Sequence, residues 1–227
     1  MTQQQTLQEM LAPILSIRRL SYDFLRQTFL QEPTYKYLKI VSTPEFIEAF
    51  PFSEENELIY QGVRNIASYL KQHDPLQEKD QLDWDYTRLF IGPYALLAPP
   101  WESAYLSEER LLFQESTLQV RQAYAKYGLL SQNHQHEADD HLSLELDFMF
   151  QLATKAEERY NHFSEFQEIL FDSKSFLQNH LLNWVPTLAR DIRQNANTGL
   201  YQGMADILEG YLQLDAEALD ELINIQL

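Results

Sequence analysis

The chain has 227 residues, 44% of them apolar and 13% aromatic, which suits one folded domain or two small ones and excludes a disordered chain. It contains no cysteine, which excludes a disulfide scaffold, thiolate-held zinc, iron–sulfur ligation by this chain and a cysteine nucleophile. Its 34 acidic residues against 17 basic ones give a net charge of −17, a surface that repels nucleic acid and anionic membranes and favours basic partners.

No segment reaches the roughly 20 apolar residues of a membrane span, and MTQQQTLQEM lacks the basic head and apolar run of a signal peptide. Arg18-Arg19 is an arginine pair of the kind found in export signals. The residues after it, SYDFLRQTFLQEP, carry charges where an export signal needs an unbroken apolar stretch, so the pair is read as part of an amphipathic helix.

Glycine is scarce, at six residues, no Asn-Gly or Asp-Gly turn occurs, and apolar residues recur at helical spacing, so the chain is expected to be all-α: a single compact helical domain of roughly ten helices. A first helix is expected to about Leu30, opened in its main section by Pro13, with Ile14, Ile17, Leu20 or Ser21, Phe24 and Leu25 as its inner stripe. Short helices follow at 34–42 and 44–50. Ser53 is expected to cap a helix carrying Leu58, Ile59, Val63, Ile66, Ala67 and Leu70 on one face. A helix over about 77–91 ends at Gly92-Pro93, and 92–106, with three prolines, is irregular. Ser107 caps a short helix to Phe113; Ser116 opens one that closes at Gly128. After the polar loop SQNHQHEADD, Asp139 or Asp140 caps a long helix to about Tyr160, with Leu142, Leu146, Met149 and Ala153 inward. Helices at 163–182, 184–195, 198–213 and 215–225 complete the chain.

Two constellations could carry chemistry. His134-Gln135-His136-Glu137-Ala138-Asp139-Asp140-His141 offers ligand types for zinc or non-haem iron; the alternative is a polar loop leading into a capped helix. Tyr86, Leu89 and Phe90 share a helix face and are followed by Tyr94, Pro99, Pro100, Trp101 and Tyr105 on a proline-stiffened segment. These aromatics could line a groove for an apolar peptide, or they could be ordinary core. No glycine-rich phosphate loop and no GxSxG elbow is present.

The stretch Tyr86-Thr-Arg-Leu89-Phe90-Ile-Gly92-Pro93-Tyr94-Ala-Leu96, followed by Pro99-Pro100-Trp101-Glu-Ser103, resembles the signature of the TorD/DmsD family of redox-enzyme maturation chaperones. Leu112-Phe113, Ser116-Thr117-Leu118 and Arg121 continue the resemblance, and Glu137-Ala138-Asp139-Asp140-His141 matches the family's Glu-Pro-x-Asp-His motif with alanine in place of proline. The double proline with Trp101 is more similar to the DmsD branch. The resemblance implies an all-helical cytoplasmic chaperone, not an enzyme and without a cofactor or metal. Such a chaperone binds the twin-arginine signal peptide of a molybdenum-cofactor oxidoreductase of the dimethyl sulfoxide or trimethylamine N-oxide reductase type, until the cofactor is inserted and before export. The signal-peptide site it implies comprises Tyr86, Leu89, Phe90, Tyr94, Pro100, Trp101, Glu137, Asp140 and His141.

In that reading, a carboxylate such as Asp140 orients the peptide's arginines and apolar burial supplies most of the affinity. The alternative is a metal-dependent hydrolase using His134, His136, Asp140 and His141. A third reading, a guanine-nucleotide-binding regulator, has no phosphate loop behind it. Nucleic-acid binding and stable membrane insertion are not expected. Monomer and domain-swapped dimer both stand, with 92–106 and 131–138 as the places for a hinge.

Overall fold

The computed structural model describes residues 3–43, 45–46, 50–93, 95–107, 109–129 and 138–225, with side chains from residue 10 onward. Helices follow one another through the described residues: α1 (Gln3–Leu30), α2 (Tyr35–Val41), α3 (Glu57–Leu70), α4 (Lys79–Tyr86), the π-helical turn π1 (Thr87–Ile91), α5 (Glu102–Leu106), α6 (Glu115–Lys126), α7 (Leu142–Arg159), α8 (Phe163–Phe176), a second π-helical turn π2 (Leu177–Leu181), α9 (Leu182–Asn195) and α10 (Gly199–Asn224). The all-α expectation of roughly ten helices holds, and no described helix is long and apolar enough to cross a membrane. The helix expected at 44–50 falls partly outside the described residues.

The helices gather into two compact units. The first combines the N-terminal stretch to Gln27, Trp101–Asn183 and the stretch from Leu212; the second combines Thr28–Pro100 and Trp184–Tyr211.

In the first unit, α1 buries a different face from the one its apolar residues suggest. Leu11, Leu15, Arg18, Tyr22 and Leu25 are buried, whereas Ile14 is 45% and Leu20 52% exposed. The reason is polar. Arg18 lies in the interior, where its Nε donates to Asp215 Oδ1 at 2.6 Å and its Nη2 to Oδ2 at 3.1 Å, while the Tyr22 hydroxyl donates to Oδ2 at 2.6 Å. An apolar stripe cannot reveal a buried face with an arginine in its middle. Arg19, its neighbour in the arginine pair, makes a half-exposed ion pair with Glu157. Both arginines of the pair are thus engaged within this unit. Asp215 also explains why the helices expected at 198–213 and 215–225 are one helix, α10: its carboxylate serves Arg18 and not a new N-terminus. The rings of Tyr124, Phe148 and Phe176 pack together, with centroids 4.8 Å apart for Tyr124–Phe148 and 4.7 Å for Phe148–Phe176.

In the second unit, α3 starts at Asn56, whose Oδ1 accepts the amides of Leu58 and Ile59, rather than at Ser53. The helix turns Ile59, Gly62, Val63 and Ile66 inward. Gly62 meets Gly203 of α10 so closely that a Cβ on Gly62 would lie 2.5 Å from the Gly203 carbonyl oxygen. Backbone packs on backbone there, which only glycine permits. Asp85, buried on α4, accepts from the amides of Asn197 and Thr198 and from the Thr198 hydroxyl, all at 2.9–3.1 Å, and from Arg88 at 2.8 Å. A carboxylate from another helix therefore serves the amides at the head of α10 and complements its dipole.

Removing one partner of a fully buried ion pair leaves an uncompensated charge and costs about 3–5 kcal/mol, whereas an exposed pair is worth about 1 kcal/mol or less. Asp215→Ala is therefore expected to lower the unfolding free energy several times more than Glu157→Ala, measured by urea denaturation at neutral pH.

Candidate functional site

The two motif segments meet in the first unit. Trp101 and His141 form an isolated antiparallel bridge, and their rings pack edge to face with centroids 5.3 Å apart. Glu102 donates its amide to the Asp140 carbonyl at 3.0 Å. The Asp140 carboxylate accepts the Ser103 amide at 2.7 Å on one oxygen and the Thr117 hydroxyl at 3.0 Å on the other. Trp101 stands at the N-cap position of α5 and has no side-chain oxygen to satisfy the free amides. Asp140 supplies that oxygen from 37 residues away. Asp139 accepts from Arg121 Nε at 2.6 Å, and its carbonyl accepts from the Tyr124 hydroxyl.

His141, not Asp139 or Asp140, caps the long helix α7: its Nδ1 accepts the Ser143 amide at 3.1 Å. Burial pushes its pKa down to about 4, only partly opposed by the negative charge of Asp140. The interior also holds Glu102, whose carboxylate oxygens lie 3.0 and 3.2 Å from His180 Nδ1 on π2. α5 itself is a helix within 92–106, where none was expected, and the described residues of 107–113 form no helix; Arg110 and Phe113 there adopt positive φ. Gly128, at φ 68°, does end the helix opened near Ser116.

Tyr86, Leu89 and Phe90 lie in the second unit and are interior residues. The Tyr86 hydroxyl donates to the Phe29 carbonyl, and its ring packs on Phe90 at 4.9 Å and Tyr201 at 6.1 Å. Helical spacing put them on one face, and that face packs in the interior of the unit. The exposed side of the same segment carries Trp84 and Ile91. Pro100 is buried, and Trp101 is half-buried with its indole Nε1 unpartnered among the described residues. Tyr94 and Glu137, like His134 and His136 of the hydrolase reading, lie outside the described residues. Asp140 lies in the interior. It is 0% exposed, and both carboxylate oxygens already serve donors of the chain.

The residues that sequence reasoning did not place in the site are Ser103, Thr117, Arg121, Glu102 and His180. The first four belong to the segments that carry the resemblance, which gave their order along the chain and not their bonding. Nothing local marked His180, which sits in an ordinary helical stretch of the sequence. Among the described residues, no group of three or more His, Cys, Asp or Glu side chains is placed to hold a metal ion.

Known proteins are similar to this chain over much of its length. The family described as "Nitrate reductase delta subunit" matches residues 56–190. The chaperone protein TorD of Vibrio cholerae serotype O1 is 30% identical over 171 residues, covering 75% of this chain and 77% of that protein. The TorD of Photobacterium profundum is 27% identical over 175 residues, covering 77% and 79%. The Tat proofreading chaperone DmsD of Salmonella typhi is 30% identical over 142 residues, covering 63% and 62%. The chain belongs to this nitrate reductase delta subunit family, in the TorD/DmsD group of redox-enzyme maturation chaperones. Identity does not separate the two branches, and the TorD matches extend further along the chain than the DmsD match favoured by Pro99-Pro100-Trp101.

Asp140→Ala strands a buried amide and a buried hydroxyl and is expected to cost about 2–4 kcal/mol of stability, since each unsatisfied buried group costs about 1–3 kcal/mol. Asp140→Asn can accept from Ser103 and donate to Thr117 and is expected to cost about 1 kcal/mol; urea unfolding of the two variants checks the order. The unfolded chain takes up a proton at His141 as pH falls below about 6.5, the folded chain only near 4, so this residue removes stability as the pH drops through that window. His141→Asn, which can still cap, is expected to reduce the loss of stability between pH 6.5 and 4 relative to the parent chain, measured by chemical denaturation across that range.

Proposed function

We propose that this chain binds the twin-arginine signal peptide of a molybdenum-cofactor oxidoreductase of the dimethyl sulfoxide or trimethylamine N-oxide reductase type, and holds it in the cytoplasm until the cofactor is in place. It performs no reaction of its own. The observation that carries this reading is the pairing of the two family motifs through Asp140, which sets Trp101 half-buried at the head of α5. A half-exposed aromatic side chain on a stiff proline-led segment is a good anchor for the apolar part of a signal. The net charge of −17 draws the signal's basic head toward the chain.

In this reading Asp140 and His141 position Trp101 rather than touch the arginines. The names of the relatives, chaperone protein TorD and Tat proofreading chaperone DmsD, support a chaperone and give no support to the metal-dependent hydrolase.

Calorimetry with a synthetic twin-arginine signal peptide tests the reading. Trp101→Ala is expected to weaken binding by about 2 kcal/mol, the scale of an interface hot spot, with a melting temperature close to that of the parent. A large fall in melting temperature with unchanged affinity in the folded fraction would make Trp101 a core residue and remove it from the site.

A further inference from the structure

The two described aspartates of the motif are already engaged by the chain itself. Asp140 is saturated and enclosed, and Asp139 is buried against Arg121. Within the same unit, α6, α7, α8 and π2 enclose a separate cavity of about 130 Å³. Pockets for drug-sized ligands run to roughly 300–1,000 Å³, so an occupant of this one is the size of a side chain. Its walls include the rings of Tyr127, Phe148 and Phe176, the Asp172 carboxylate, Lys126 and His180.

His180 is 7% exposed, and Glu102 fixes its ring from behind. A carboxylate only accepts, so Nδ1 carries the proton it shares with Glu102. In the neutral ring Nε2 is then an acceptor, and it has no partner among the described residues. At the cavity, Asp172 Oδ2 accepts from the Tyr127 hydroxyl at 2.5 Å and from Lys126 Nζ at 2.6 Å, which leaves Oδ1 for a further donor; Lys126 Nζ also lies 3.0 Å from Glu168 and is a half-exposed, weakly held cation.

We infer that this cavity receives the guanidinium of one arginine of a basic client peptide, with Asp172 and His180 Nε2 as its acceptors and the aromatic rings as its bed. The inference rests on the signal-binding reading and names where in the chain the arginine is read. A guanidinium suits the place because its planar fork donates in two directions at once and lies flat on aromatic faces. Lys126 is a point charge that pairs with the carboxylates and stands 5.9 Å from the Tyr127 ring centroid, without a planar face to lay on it. The arriving arginine displaces Lys126 into water, so one ion pair replaces another while the bond to His180 is new.

The test uses the full chain and three synthetic signal peptides: the twin-arginine form and the two forms with one arginine changed to glutamine. The double variant Lys126→Met/Asp172→Asn removes one charge of each sign, so long-range attraction to a basic peptide is unchanged. Loss of a charged hydrogen bond and its ring contacts predicts about a tenfold or greater weakening for the twin-arginine peptide. It also predicts that one of the two single-glutamine peptides binds parent and variant alike. In parent protein labelled at histidine nitrogen, the His180 Nε2 resonance is expected to shift on adding the twin-arginine peptide but not that same glutamine peptide.

Should the double variant fail to fold, Ser175→Leu, which narrows the cavity without touching a charge, is expected to give the same loss. Equal affinity of variant and parent for the twin-arginine peptide, or an unmoved His180 resonance at saturation, overturns this inference and leaves signal binding standing. Failure of the parent chain to bind the twin-arginine peptide at all overturns both.

Discussion

A carboxylate taken out of water must be surrounded by donors, and in this chain that requirement organises the structure around three buried aspartates. Asp140 binds the Ser103 amide and the Thr117 hydroxyl, Asp85 binds the amides ahead of α10, and Asp215 binds Arg18 and Tyr22. Each joins stretches far apart in sequence. Because an unpaired buried charge is costly, each bond is close to all-or-none, and the segments it joins are held in one register. The large acidic excess of the sequence is thus of two kinds: a few carboxylates that build the interior and many that give the exterior its field.

This division changes what the family motifs mean physically. Asp139, Asp140 and His141 are chemically eye-catching in the sequence, yet they spend their polar groups inward, on Arg121, Thr117, Ser103 and Ser143. Their work is to fix the peptide segment that carries Trp101. In the proposed binding role such a scaffold is an advantage, since an anchor whose position is set before binding loses less entropy when the client arrives.

The two π-helical turns serve the same end by local geometry. A π turn inserts one residue into a helix and rotates everything beyond it. At π1 the Gly92 amide reaches back to the Thr87 carbonyl at 2.9 Å, and the Ala98 amide returns to the Leu89 carbonyl at 3.0 Å, so the proline-rich segment leaves the helix along a defined path. At π2 the turn carries His180, the partner of Glu102.

Much of the fold was legible in the sequence. Helical spacing, scarce glycine and proline punctuation were enough for an all-α chain, because those signals act within a few residues of one another. The resemblance of Tyr86–Ser103 and Glu137–His141 to one chaperone family was legible for the same reason, as an order of residues along the chain. What the sequence could not disclose were the polar partnerships between distant residues. Arg18 on the buried face of α1, Asp215 inside an unbroken helix, Asp140 as the cap of α5 and His180 behind Glu102 depend on which helices meet, and no local periodicity encodes that. The tertiary structure alone decided which acids are walls and which are available. Desolvation turns a carboxylate from a surface charge into a structural bond, and desolvation is a property of packing.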